Sequence, residues 1–305
     1  MRAKRRWGLG VLLFGASASA ADHDAVDLAA VRAQSPIPSW CDKPSTGWPA
    51  GLGSRRSLYC NEVGQGYAAM ATPRVAIERA KQAEQILPNE AAAVLLQAQA
   101  RAMLGDYSSA WQLFQRAQKL SGFRLNHVTG VHQFARAAHL GGKASAVSES
   151  IAAYRQLLSL SQQYQDKAWR VTCAVEAALV FLNEGPTGVE LAAQVLKEAT
   201  RSADSTQFPQ IVRTLNQLLF DRQGAHPPQA PDSFAVYPEA LQQELNLATP
   251  WAPKLSEVDR AALIAASWEH WDRAQAREQW LAVGALVAQG HWSEYAARRA
   301  RALAH

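Results

Sequence analysis

The chain has 305 residues, 48% of them hydrophobic and 19% charged. It can therefore bury a substantial core, and it lacks the charged, apolar-poor composition of chains that stay unfolded. It carries 31 basic and 26 acidic residues, but Arg2, Lys4, Arg5 and Arg6 crowd the first six positions, and without them the balance is 27 to 26. That excludes a strongly basic fold, and no nucleic-acid partner is expected.

In chain order, residues 1–20 read as a secretory leader. A positive start is followed by an apolar run over 7–16 and the small-residue cleavage pattern Ala18-Ser19-Ala20. The apolar run is shorter than the ~20 residues a bilayer span needs, and no later run reaches that length. The expectation is an exported protein, periplasmic or secreted, with no transmembrane helix once the leader is removed. Residues 21–56 read as irregular, because Pro36, Pro38, Pro44, Pro49, Gly47, Gly51 and Gly53 break any helical period. Cys41 and Cys60 flank this Pro/Gly/Trp-rich stretch, and export permits oxidation. A disulfide between them is expected, worth ~3 kcal/mol for a loop of this size. Cys173 lies in the apolar run 171–182 and reads as a small core hydrophobe.

Helices are expected from Ser57 onward. Tyr67 and Met70 lie on the first, and Thr72-Pro73 makes the turn, with Pro73 suited to an early helical position. A second helix over 75–87 carries Ala76, Ala80, Ala83 and Leu87 on one stripe, and Pro88-Asn89 stops it. A third over 90–104 ends at Gly105, and a fourth over 108–120 carries Ala110, Phe114, Ala117 and Leu120. Further helices are expected over 126–140 and 144–160 around Gly141-Gly142, then over 167–182, 189–200 and 207–220. Pro227, Pro228 and Pro231 make 224–236 a linker. Beyond it, 237–305 forms a C-terminal sub-domain. It comprises a short helix from Pro238, a turn at Pro250 and Pro253, and a long helical run opened by Ser256 with Asp259 in a capping arrangement. No strands are indicated, and the fold class is all-α.

The segments 57–90 and 91–124 echo each other with a 34-residue period: Ala76 and Ala83 recur as Ala110 and Ala117. A period in this range marks units that bury their apolar faces by stacking on neighbours. The two units resemble the tetratricopeptide repeat (TPR). The family's small, aromatic, glycine, alanine, aromatic, alanine and proline places hold Gly64, Tyr67, Ala71, Ala76, Ala80, Ala83 and Pro88 in the first unit. In the second they hold Ala98, Arg101, Gly105, Ala110, Phe114 and Ala117, with Arg101 replacing the aromatic and no closing proline. The resemblance returns at Trp280 and Gly284, then at Trp292, Tyr295, Ala296, Ala300 and Leu303. It implies a TPR-like superhelix, a solenoid of antiparallel helix pairs over 57–223, with a further repeat closing the C-terminal sub-domain.

What the resemblance implies for function is a scaffold for protein–protein interaction in an envelope assembly. The first helix of each unit would line an inner groove, placing Leu58, Asn61, Gln65 and Ala68, then Leu95, Gln99, Ala102 and Met103, against a partner. These side chains are neutral or apolar, so the expected ligand is an apolar or amide-rich peptide or helix. A second reading takes Trp268 and Trp271, placed to share a helix face, as an aromatic platform for cell-wall glycan. A third is an enzyme whose site is assembled from distant residues. No catalytic, cofactor-binding or metal residue is assigned. There is no phosphate loop, nucleophile elbow, His-Glu-x-x-His or Cys-x-x-Cys motif. His127, His132 and His139 lack a further ligand at metal-site spacing, and the adjacent Glu269 and His270 point apart on a helix. Arg298, Arg299 and Arg301 near a helix end are accounted for by the helix dipole.

Overall fold

The computed structural model describes residues 37–42, 52–142, 146–161, 167–182, 185–202, 209–223, 236–247, 255–286 and 291–304. The leader, residues 21–36 and 43–51, and the linker up to 235 fall outside them. The described residues form thirteen helices and no strand.

The N-terminal end begins with a single 3-10 turn, Ser39–Asp42, stapled to helix α1 (Leu52–Ala68) by the Cys41–Cys60 disulfide. Trp40 also packs on Tyr59 at 5.6 Å between ring centroids, and the Arg56 guanidinium lies 5.2 Å from the Trp40 centroid. Helix α1 starts five residues ahead of Ser57. Gly51 is the last breaker before it, and Gly53 falls in the first turn, where it interrupts little.

Helix α2 (Pro73–Ile86) takes Pro73 at its first position and buries Ala76, Ile77, Ala80 and Ala83, a stripe at helical spacing. Small residues there let α1, α2 and α3 (Ala91–Met103) approach closely. A Cβ added at Gly66 would collide with Leu96 of α3. Tyr59 completes the joint, its hydroxyl accepting the Ala93 N–H at 3.2 Å. That satisfies one of the backbone donors left unpaired in the first turn of α3. Gly105, at φ +79°, ends α3, and Asp106 caps α4 (Tyr107–Gln118) by accepting the Ser109 N–H. Arg101, which departs from the repeat pattern, donates to the same Asp106 carboxylate at 2.6 Å.

Helix α5 (Val128–Arg136) widens into a π turn at Ala137–Gly141, followed by α6 (Val147–Ser161). Gly141 presses on the backbone of Tyr107, where any Cβ would overlap the carbonyl. Next come α7 (Lys167–Phe181), α8 (Gly185–Ser202) and α9 (Pro209–Gln223). Glu244 of α10 (Pro238–Asn246) accepts the Gln210 and Ile211 N–H groups, both at 2.9 Å, capping α9 across the linker. The long run from Ser256 is two helices, α11 (Glu257–Trp268) and α12 (Arg273–Leu286). Asp272 starts the second by accepting the Gln275 N–H. The chain continues into α13 (His291–Ala302).

Neighbouring helices pack in pairs, α1 with α2, α3 with α4, α7 with α8 and α12 with α13. One hydrophobic core nevertheless spans residues from Ala91 to Ala300, and a second, smaller cluster lies at the N-terminal end around Tyr59 and Val63. Every residue over 91–100 of α3 and over 171–181 of α7 is buried. A repeat helix lining an open groove would keep one face in water, and neither of these does. The C-terminal helices return to the middle of the chain: Asp259 of α11 faces His139 of the π turn, and α13 also touches that turn.

Candidate functional site

A buried cluster of polar side chains lies where α5, α6, α7 and α11 meet. Glu176 is its centre. It stands alone as a charge in the apolar run 171–182 and is wholly buried. Four donors converge on its carboxylate: His132 Nε2 at 2.6 Å, Arg136 Nε at 3.0 Å and Nη2 at 2.5 Å, and the Tyr154 hydroxyl at 3.1 Å. His132 and Arg136 are four residues apart and so share one face of α5, which α7 then covers. Beside them His139 Nε2 lies 3.6 Å from Asp259 Oδ1. Asp259 is fixed by Ser256, whose Oγ accepts the Asp259 N–H and donates to Oδ2 at 2.6 Å.

Electrostatics follow from this geometry. Burial alone would raise the Glu176 pKa, but the Arg136 guanidinium and His132 outweigh it and hold the carboxyl well below its usual range. Burial likewise works against the Arg136 charge, and Glu176 restores it. Burial lowers the His132 pKa despite Glu176, so the ring is neutral near pH 7 and donates from Nε2. The Tyr154 hydroxyl is pushed up by burial, and that of Tyr107 rises to about 12 for the same reason. His132, His139, Tyr154, Glu176 and Asp259 are each no more than 2% exposed. They are reached only by parting packed helices, so the cluster ties α11 to α5, α6 and α7 as a polar key. Cys173, one turn before Glu176, is buried with its thiol pKa raised by desolvation.

The residues expected to line a groove separate into two groups. On α1, Leu58 and Ala68 are exposed and Asn61 and Gln65 half-buried, forming a continuous stripe at steps of three, four and three. Gln65 Nε2 donates to Asn61 Oδ1 at 3.3 Å, so the amides are aligned along the helix. On α3 the line does not continue. Leu95 and Gln99 are 0% and 1% exposed, Ala102 is also buried, and only Met103 at the helix end reaches solvent. The reason is α5, which packs on α3 and sets His127 beside Gln99 at 3.4 Å.

Trp268 and Trp271 are neighbours through the backbone, the Trp271 N–H donating to the Trp268 carbonyl at 2.9 Å. Trp268 ends α11 half-buried, whereas Trp271 follows in the turn and packs on Tyr237 at 5.2 Å between centroids. Trp280 is wholly buried. Glu269 faces inward and accepts from Trp280 Nε1 at 2.7 Å and from Arg299, while His270 is exposed. His127, His132 and His139 stay apart in role, each with its own neighbours, and among the described residues no cluster of three or more His, Cys, Asp or Glu suits a metal ion.

Sequence reasoning passed over the Glu176 cluster, although a signal was present. A single carboxylate in an apolar helix must find a cation, and His132 with Arg136 is an ionisable pair at helical spacing in the similarly apolar segment 128–140. No family model, curated protein or solved structure matches this chain.

Proposed function

We propose that the protein is an exported TPR-like scaffold that binds a protein or peptide partner along α1, through the stripe Leu58, Asn61, Gln65 and Ala68. The observation that carries this reading is the contrast between α1 and α3. Of the two helices expected to line a groove, α3 is sealed into the core while α1 keeps its stripe accessible. The stripe combines one exposed leucine with two side-chain amides, which can donate to and accept from a peptide backbone while the leucine contributes apolar contact. The paired helices support the repeat reading, and the Cys41–Cys60 disulfide supports an oxidising, extracytoplasmic location. The disulfide also holds the end of the molecule that carries the stripe, which would preorganise it for binding.

The test is site-specific photocrosslinking in the native envelope, with the crosslinker at Gln65 and, as reference, at the exposed Gln112 on α4. A discrete adduct at Gln65 that disappears with Leu58→Asp supports the reading. Equal labelling at both positions, or an adduct indifferent to Leu58→Asp, refutes it.

A further inference from the structure

The end of the α12–α13 hairpin gathers four arginines. Arg273 and Arg277 occupy the first two turns of α12, and Arg298 and Arg301 the last turns of α13. Arg273 Nη2 donates to the Ala302 carbonyl at 3.4 Å, which places the start of one helix against the end of the other. All four residues are exposed, and none makes an ion pair among the described residues. Arg299, between them in sequence, is by contrast engaged by Glu269.

The helix dipole accounts for Arg301 in the last turn of α13, but it works against Arg273 in the first turn of α12 and reaches neither Arg277 nor Arg298. Helix stability alone therefore does not explain cations contributed from both helices. Asp272, Glu278 and, one turn before Arg298, Glu294 are the exposed carboxylates of the same region, and Asp272 is spent on starting α12. Directly before Asp272 in the turn stands Trp271, 52% exposed. Its indole N–H donates to the Val236 carbonyl at 2.5 Å, and Tyr237 packs against it. With the N–H used internally and the ring held in place, the part of Trp271 left to solvent is apolar ring surface.

We propose that this end of the hairpin binds an anionic polysaccharide. Arg277, Arg298 and Arg301 pair with its carboxylate or phosphate groups, and Trp271 packs on a sugar ring. The patch uses arginine throughout, whose planar fork matches carboxylate and phosphate oxygens in pairs. A fixed aromatic surface beside it suits the C–H face of a pyranose. A lipid surface fits less well, because the exposed aliphatic residues of α12, Leu281 and Leu286, lie toward its opposite end. The proposal is independent of the stripe on α1, and either can fail without the other.

The experiment is calorimetric titration of the purified exported protein with oligogalacturonate and with dextran phosphate. Plain dextran serves as the neutral reference, and phosphatidylglycerol vesicles and a single-stranded oligonucleotide as competing polyanions. The expected result is binding of the anionic glycans, at least about tenfold tighter than plain dextran and weakened by salt. Arg277→Gln with Arg301→Gln weakens it about tenfold. These two side chains are exposed, so circular dichroism should show the variant folded. Trp271→Ala, which also removes the indole hydrogen bond to the Val236 carbonyl, weakens it further. The proposal is overturned if neither anionic glycan binds, if the folded arginine variant binds as wild type does, or if vesicles or oligonucleotide bind more tightly than both glycans.

Discussion

Replacing Glu176 by Gln is the sharpest test of the buried cluster. The carboxylate accepts from His132, Tyr154 and both Arg136 nitrogens inside a site with no water-facing oxygen. An amide keeps the volume but turns an NH2 group toward donors and leaves the Arg136 charge uncompensated. Breaking a buried pair from one side costs about 3–5 kcal/mol. In a chain of this size that lowers the melting temperature by roughly 5–8 °C. Differential scanning calorimetry at pH 7.5, with the disulfide intact, measures it directly. Joint replacement, Glu176→Leu with Arg136→Met, removes both charges and should cost less than Glu176→Gln alone. A loss below about 1 kcal/mol for the single variant, or a joint variant worse than the sum of the singles, would refute the view that the pair is strongly coupled. The pH profile supplies a second check. Because the folded Glu176 pKa is depressed, its contribution is complete above the unfolded carboxylate value and is lost as acid protonates the unfolded chain first. In Glu176→Gln the steep acid limb below about pH 4 should flatten.

Other expectations follow from single residues. Burial lowers the His127 pKa to about 4, so the unfolded chain binds its proton first, and stability falls as pH drops from about 6.5 to 4. His127→Gln should remove up to about 3 kcal/mol of that loss while leaving melting at pH 8 little changed, as thermal scans across pH would report. Gly141→Ala should cost about 2–3 kcal/mol, because the new methyl overlaps the Tyr107 carbonyl and backbone must move. Gly105→Ala, at φ +79° but in open space, should cost nearer 1 kcal/mol, and equal losses in urea unfolding for the two would contradict the close approach at Gly141.

Much of the local structure was legible because it depends on short-range chemistry. The stripe Ala76, Ala80 and Ala83, Pro73 at a helix start, Gly105 at a helix end and Ser256 as a cap are set by backbone geometry within a turn or two. The disulfide was legible because two cysteines bounded one loop. Boundaries slipped where a breaker stands just inside a helix, as Gly53 does in α1 and Pro186 in α8, because a first turn tolerates both.

The sequence by itself determined that this chain makes paired helices with small residues at their crossings, because period and capping are encoded locally. It could not determine which face of each helix meets water, because that depends on which distant helices pack against it. Gln99 and Asn61 are alike in chemistry and helical context, yet α5 seals one and leaves the other accessible. The same long-range packing brings Asp259 to His139, 120 residues away in the chain, and sets Glu176 against Arg136. Burial then decides what those charges do, since a carboxylate that would be unremarkable in water becomes, without solvent, a group that must be paired.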